Sequence, residues 1–144
     1  MSVDNAVYRL RVAQGFLAEA QQDLQLRRWR SAVDNAQLAV ENAAKAALAL
    51  VAPVGKTHHP APLLREAIAA AHFPAVLVAK VERIAECAEQ LGFDVHIQTD
   101  YGDEMEGRTP WELFDEADAR QALELAEEAL ALAQDIIKEV RGEL

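Results

Sequence analysis

The chain has 144 residues, 51% of them hydrophobic and only 6% aromatic, with a formal net charge of −10. That length suits one domain with a real core, and the Ala- and Leu-rich mix favours helices over sheets. No run of about 18 apolar residues lacks charge, which argues against a membrane-spanning helix, and the acidic balance argues against broad electrostatic binding to DNA or RNA.

In chain order, Leu10, Ala13, Leu17, Ala20 and Leu24 recur at three- and four-residue spacing, which predicts a helix from Asp4 to about Leu26. Asp4 stands where an N-cap would satisfy free backbone N–H groups. The run Leu26-Arg27-Arg28-Trp29-Arg30 breaks the period and Ser31 restarts it. Ala32, Ala36, Ala39, Val40, Ala43, Ala47 and Leu50 then trace a second helix, ended near Pro53 and Gly55. Two helices with so short a link pack as an antiparallel hairpin.

A loop from Val54 to Pro60 leads to a short helix from about Pro62 to Ala71. Pro74 opens the next, with Leu77, Val81, Ile84, Ala88 and Leu91 on one face and Gly92 closing it. From Phe93 to about Phe114 there is no helical period; Gly102, Gly107, Pro110 and many acids predict a long loop, and such loops are usually functional. Asp115 caps a last long helix with Ala119, Ala122, Ala126, Ala129, Ala133, Ile136, Ile137 and Val140 inward. The reading is all-α: one domain over 1–144, an antiparallel bundle of four to five helices.

Compartment signals are few. The start of the chain lacks a basic region followed by a long apolar core, and Cys87 is the single cysteine, so no internal disulfide can form. Both features lead us to expect a cytoplasmic protein. Charge is uneven: Arg9, Arg11, Arg27, Arg28 and Arg30 make the first thirty residues net positive, while Asp100 to Glu128 is strongly acidic. Such faces are either solvated or meet each other in a dimer or partner complex.

With these features in order, the chain resembles the HEPN domain family. The segment from Phe16 to Leu50 is similar to that family's first helical hairpin, with Trp29 at the turn and Glu41 and Lys45 among alanines. Lys56, Thr57 and His58 match its Lys-Thr-His loop before the Leu63-Leu64 pair. Tyr101, Asp103, Pro110 and Phe114 match its segment before the last helix, although Asp100 stands where Arg is common and Gly102 replaces Pro. The resemblance implies a helical bundle that commonly dimerises. It also implies either an RNA-cleaving toxin or a module working beside a minimal nucleotidyltransferase. On the residues carried over, Glu41, Lys45, His58, Tyr101 and Asp103 are the candidate ligand-binding or cleft residues.

The catalytic pattern of that family, Arg-x(4–6)-His near the start of the last long helix, is missing from its usual place. The last His is His96, and neither Arg108 nor Arg120 is followed by one. One displaced match exists, Arg65 and His72, whose interval of seven residues predicts one helix face. In such a pair His would move a proton near neutral pH and Arg would hold the scissile phosphate.

Other polar groups point to ordinary roles. Glu41 and Lys45 have the i,i+4 spacing of a surface ion pair. His58 and His59 are adjacent, which rarely aims two side chains at one ion, so neither metal nor cofactor is expected. Glu82, Glu86 and Glu89 read as a solvated stripe. Ala-rich faces on the long helices offer more apolar surface than a small bundle must bury, which predicts a homodimer. The function expected is a HEPN-like binding module, dimeric and paired with a nucleotidyltransferase, taking a nucleotide or RNA as ligand. The alternative is a divergent ribonuclease using Arg65 and His72.

Overall fold

The structure, a computed structural model, describes residues 2–142. Its helices are α1 (Val3–Gln25), α2 (Trp29–Ala49), α3 (Pro60–Ala69), α4 (Val78–Gln90), α5 (Phe93–Tyr101), α6 (Pro110–Leu113) and α7 (Glu116–Val140). A single 3-10 turn, Ala75–Leu77, leads into α4. Among the described residues the only strand-like pairing is an isolated antiparallel bridge between Asp103 and Arg108.

α1 and α2 form the antiparallel hairpin expected from the short link. The backbone N–H of Ser2, before α1, donates to the carbonyl of Ala49 at the far end of α2 (2.8 Å). α1 is capped by Ser2, whose Oγ accepts from the N–H of Asn5, and not by Asp4, which lies inside the first turn. α2 begins at Trp29, two residues before Ser31, and has no side-chain cap.

α2 is the central element. It packs most extensively against α1 and α7, and α3, α4 and α5 lie against it as well. Every residue from Ala43 to Ala49 is buried, Lys45 included. Alanine explains the arrangement: with a single methyl per position, neighbouring helices can approach from every side of α2. The Ala stripes expected to face a second chain are therefore covered within this one. Ala32, Ala36, Ala39, Ala43, Ala126, Ala129 and Ala133 are all fully buried.

Around this pair, α4 buries Val81, Ile84 and Cys87. Burial pushes the thiol of Cys87 up to about 11. α7 starts at Asp115, as its sequence suggested, with a full capping box between Asp115 and Asp118.

The largest departure lies between Phe93 and Phe114. The first nine residues form α5 and Pro110–Leu113 form α6, where the sequence suggested an irregular loop. α5 has little amphipathic period because it is a short helix lying on α2, with Thr99 its one fully buried residue. It ends at Gly102, whose φ of +69° favours glycine. A Cβ there would stand 2.2 Å from the carbonyl oxygen of Arg108, closer than any side chain allows. A third difference is the start of α3 at Pro60. Among the described residues, no helix is long and apolar enough to cross a membrane.

Candidate functional site

The second half of α2 holds charge inside the bundle. Glu41 Oε2 and Lys45 Nζ are 3.1 Å apart, at 5% and 7% exposure. This is a buried pair and not the surface pair that i,i+4 spacing suggested, because α2 is enclosed on all sides. His58 closes it from the loop: its Nδ1 lies 3.4 Å from Glu41 Oε1. One turn earlier Gln37 is also buried, and its Oε1 has no hydrogen-bond partner.

The loop and α5 meet over this strip through rings. His58 stacks on Phe93, with centroids 4.5 Å apart and planes 15° from parallel. His59 stands edge-on to the same ring and His96 tilts over it. His96 Nδ1 in turn lies 2.7 Å from Asp34 Oδ1 on α2, and Arg30 donates to the carbonyl of Thr99 (2.9 Å). α5 is thus tied to α2 by a histidine–carboxylate contact and an arginine–carbonyl contact. A cavity of about 330 Å³ opens beside it, lined in part by His58, His59, Glu89, Phe93 and Asp94. Among the described residues no three His, Cys, Asp or Glu side chains are grouped to hold a metal ion.

Tyr101 and Asp103 lie apart from this cluster, with no bond to Glu41, Lys45 or His58. Tyr101 ends α5 with its ring 64% exposed. Asp103 shapes the following turn. Its backbone exchanges both hydrogen bonds with Arg108, and its Oδ1 accepts from the N–H of Glu106 (3.1 Å). Arg108 donates to the carbonyl of Glu112.

Arg65 and His72 do not share a helix face. α3 stops at Ala69, Ala71 takes a φ of +60°, and His72 folds back so that its N–H reaches the carbonyl of Ala67. Arg65 is occupied by Glu89 and Glu82 of α4, and its hydrogen bond to Glu89 raises its pKa further. The acidic stripe of α4 is accordingly an ion-paired face: Arg83 holds Glu86 and, through two bonds, Glu128 of α7. Arg83 keeps the Glu128 carboxyl below its ordinary value.

The α1–α2 turn forms a second concave site. Arg27, Arg28 and Arg30 flank Trp29 there, and Trp111 of α6 faces them across a cleft of about 620 Å³. Arg30 lies over the Trp111 ring (5.7 Å) and Arg27 over the Trp29 ring (5.8 Å). The break at Leu26–Arg30 is visible in the sequence, but no local rule joins it to Trp111, which lies about eighty residues on, inside the expected loop. The usable signal was a basic run around a tryptophan in an acidic chain.

The fold and these clusters define an all-helical bundle built on a buried central helix. The family model for the HEPN domain matches residues 6–139, and the chain belongs to that family. Among solved structures, it is similar to TT1696 from Thermus thermophilus, at 24% identity and a TM-score of 0.66 over 92% of this chain and 98% of that one. At that identity the likeness concerns the fold. No curated protein matches the chain.

Proposed function

We propose that this HEPN chain is a non-cleaving binding module of the cytoplasm. In this reading it acts as a homodimer beside a minimal nucleotidyltransferase, in a toxin–antitoxin-like or nucleotide-related system. The observation that carries it is how Arg65, Arg108 and Arg120, the arginines weighed against the catalytic pattern, are used. Arg65 is held by two glutamates, Arg120 pairs with Glu116 (2.8 Å), and Arg108 braces its own turn. α7, which carries Arg120, contains no histidine. Phosphodiester cleavage by this family's pattern needs a free guanidinium next to a proton-moving imidazole.

The buried Glu41–Lys45–His58 cluster fits a scaffolding role. It ties the loop to the bundle and leaves its charges neutralised. A dimer would draw on exposed apolar side chains of the α5–α6 region, Ile97, Tyr101 and Met105, since the alanine stripes are already covered. Purified protein incubated with RNA tests the reading, together with light scattering and co-expression with the product of the neighbouring gene. Intact RNA, a dimer mass and a nucleotidyltransferase complex are expected. RNA cleavage abolished by Arg65→Ala or His72→Ala, with the fold retained, would instead establish the divergent ribonuclease.

A further inference from the structure

α5 is held to the bundle differently from its neighbours. α2, α4 and α7 bury apolar side chains turn after turn, whereas α5 has Thr99 as its one buried residue, with Val95 partly buried against the core. Its hold on α2 is polar: His96 Nδ1 lies 2.7 Å from Asp34 Oδ1, and Arg30 donates to the carbonyl of Thr99 (2.9 Å). Cavities of about 370 and 330 Å³ border its first turns, the one lined in part by Leu91 and Val95, the other by Gly92 and Phe93. An element with so little buried apolar surface opens more readily than the helices around it.

The position of His96 makes that opening depend on a proton. Its Nδ1 faces Asp34 on α2, and its Nε2 lies 3.9 Å from Asp100 Oδ2, one turn on in α5. A neutral imidazole carries one N–H, so in either tautomer one of the two carboxylates meets a ring lone pair. The imidazolium can donate towards both, and its bond to Asp34 is then charge-assisted. The His96 and Asp34 side chains are 24% and 21% exposed, so solvent screens their contact less than it would a surface pair. The other charged groups around α5 are engaged elsewhere. Arg30 serves the Thr99 carbonyl, and His58 and His59 meet α5 at the Phe93 ring, with His58 facing the Glu41 that Lys45 shares. Glu112, the one charged residue of α6, accepts from the N–H of Thr109.

We propose that α5 is a proton-gated strap: with His96 protonated it lies docked on α2, and loss of that proton lets it lift. Carboxylates are ionised across the range in which an imidazole ordinarily titrates, about pH 5 to 8, so the change within that range is in the donor. Docking is therefore complete on the acid side of the range and weakens as pH rises through it. When α5 lifts, Phe93 leaves the His58 ring, and the loop beside Glu41 loses its ring partner. Ile97 and Tyr101, exposed on the same helix, move with it. The inference goes beyond the binding-module reading and does not rest on it.

Amide hydrogen exchange of the full chain between about pH 5.5 and 8 tests the strap, read as protection relative to an unstructured chain, with the His96 ring followed by NMR. Protection across Phe93–Tyr101 should fall about tenfold over that range, in step with the His96 ring, while α7 keeps its protection. His96→Asn retains a neutral donor towards Asp34, and Asp34→Asn alters the same contact from α2. Each should leave α5 weakly protected throughout and remove the pH dependence, whereas His58→Asn should keep it. The measurement is repeated after dilution, so that self-association is told apart from movement within one chain. The proposal is overturned if α5 protection does not change with pH, if α5 and α7 lose protection together, or if the change vanishes on dilution. It is equally overturned if folded His96→Asn or Asp34→Asn still shows the fall, or if His58→Asn abolishes it.

Discussion

In the second half of α2, Glu41 and Lys45 are buried against each other with His58 beside them, whereas around its first turn Arg27, Arg28 and Arg30 stand in a cleft without acids. Both sets belong to one helix and its entry. The difference follows from solvent. A charge enclosed by α1, α3, α4 and α7 must meet its opposite or lose several kcal/mol of hydration uncompensated. A charge at the open end remains hydrated, so it can be left without a carboxylate partner at little cost. Pairing in the middle of α2 is thus a requirement of burial, and its absence at the end is a property of the sequence.

The strongest way to break this comparison is to unpair the buried end. Lys45→Ala leaves the Glu41 carboxylate enclosed beside His58 alone and should cost about 3–5 kcal/mol in chemical denaturation. Replacing both partners, Glu41→Leu with Lys45→Met, should restore most of that loss, because no charge then remains to be hydrated. A single variant as stable as the parent would mean that water reaches the pair.

The next effect concerns the segment that brings Trp111 to the cleft. Gly102→Ala forces a Cβ against the carbonyl of Arg108 in a left-handed backbone and should cost about 1–3 kcal/mol. The Asp103–Arg108 turn should loosen with it, seen as faster hydrogen exchange of those two amides. Smaller still is Arg27→Gly. Relief of the left-handed strain should raise stability by about 1 kcal/mol, read in chemical denaturation. If Arg27→Gly lowers stability, the turn is not strained.

Acid separates the paired face from the open one most gently. Glu128, next to Arg83, and the capping carboxylates Glu112 and Asp115 are all held below their ordinary values. Asp115 is lowered first by the N–H of Asp118, and Glu112 first by its hydrogen bond with Thr109. A carboxyl lowered in the folded state contributes stability above its unfolded value, and that contribution is lost as pH falls through the folded value. Thermal stability should therefore fall below about pH 4, where ordinary carboxyls begin to protonate. Asp115→Ala should lower the melting temperature at neutral pH and flatten that acid decline. Arg28→Ala, with no carboxylate partner, should leave the acid limb unchanged.

The helices that could be read from the sequence are those with a long apolar period: α1, α2, α4 and α7 repeat apolar residues at helical spacing over three turns or more. α5 could not, because nine residues give too few turns for a period to show, and its hold on α2 is made of His96–Asp34 and Arg30–Thr99, contacts between distant positions. The same reason hid the depth of Glu41 and Lys45: local spacing shows that two side chains meet, not how many helices surround them. Arg65 and His72 had the right interval, but the turn at Ala71 removes His72 from the helix. His58 was placed correctly in the loop, and its ring partner Phe93 was out of reach of any local rule.

Cys87 adds a practical consequence. It is the chain's one thiol, fully buried on α4, and its raised pKa keeps it protonated at neutral pH. Native protein should thus resist alkylation on two counts, access and nucleophilicity. Any labelling that does occur must pass through an opening of the α4 face, so its rate measures how often that face parts from the bundle. The molecule carries its own clock for local unfolding, readable without any substitution.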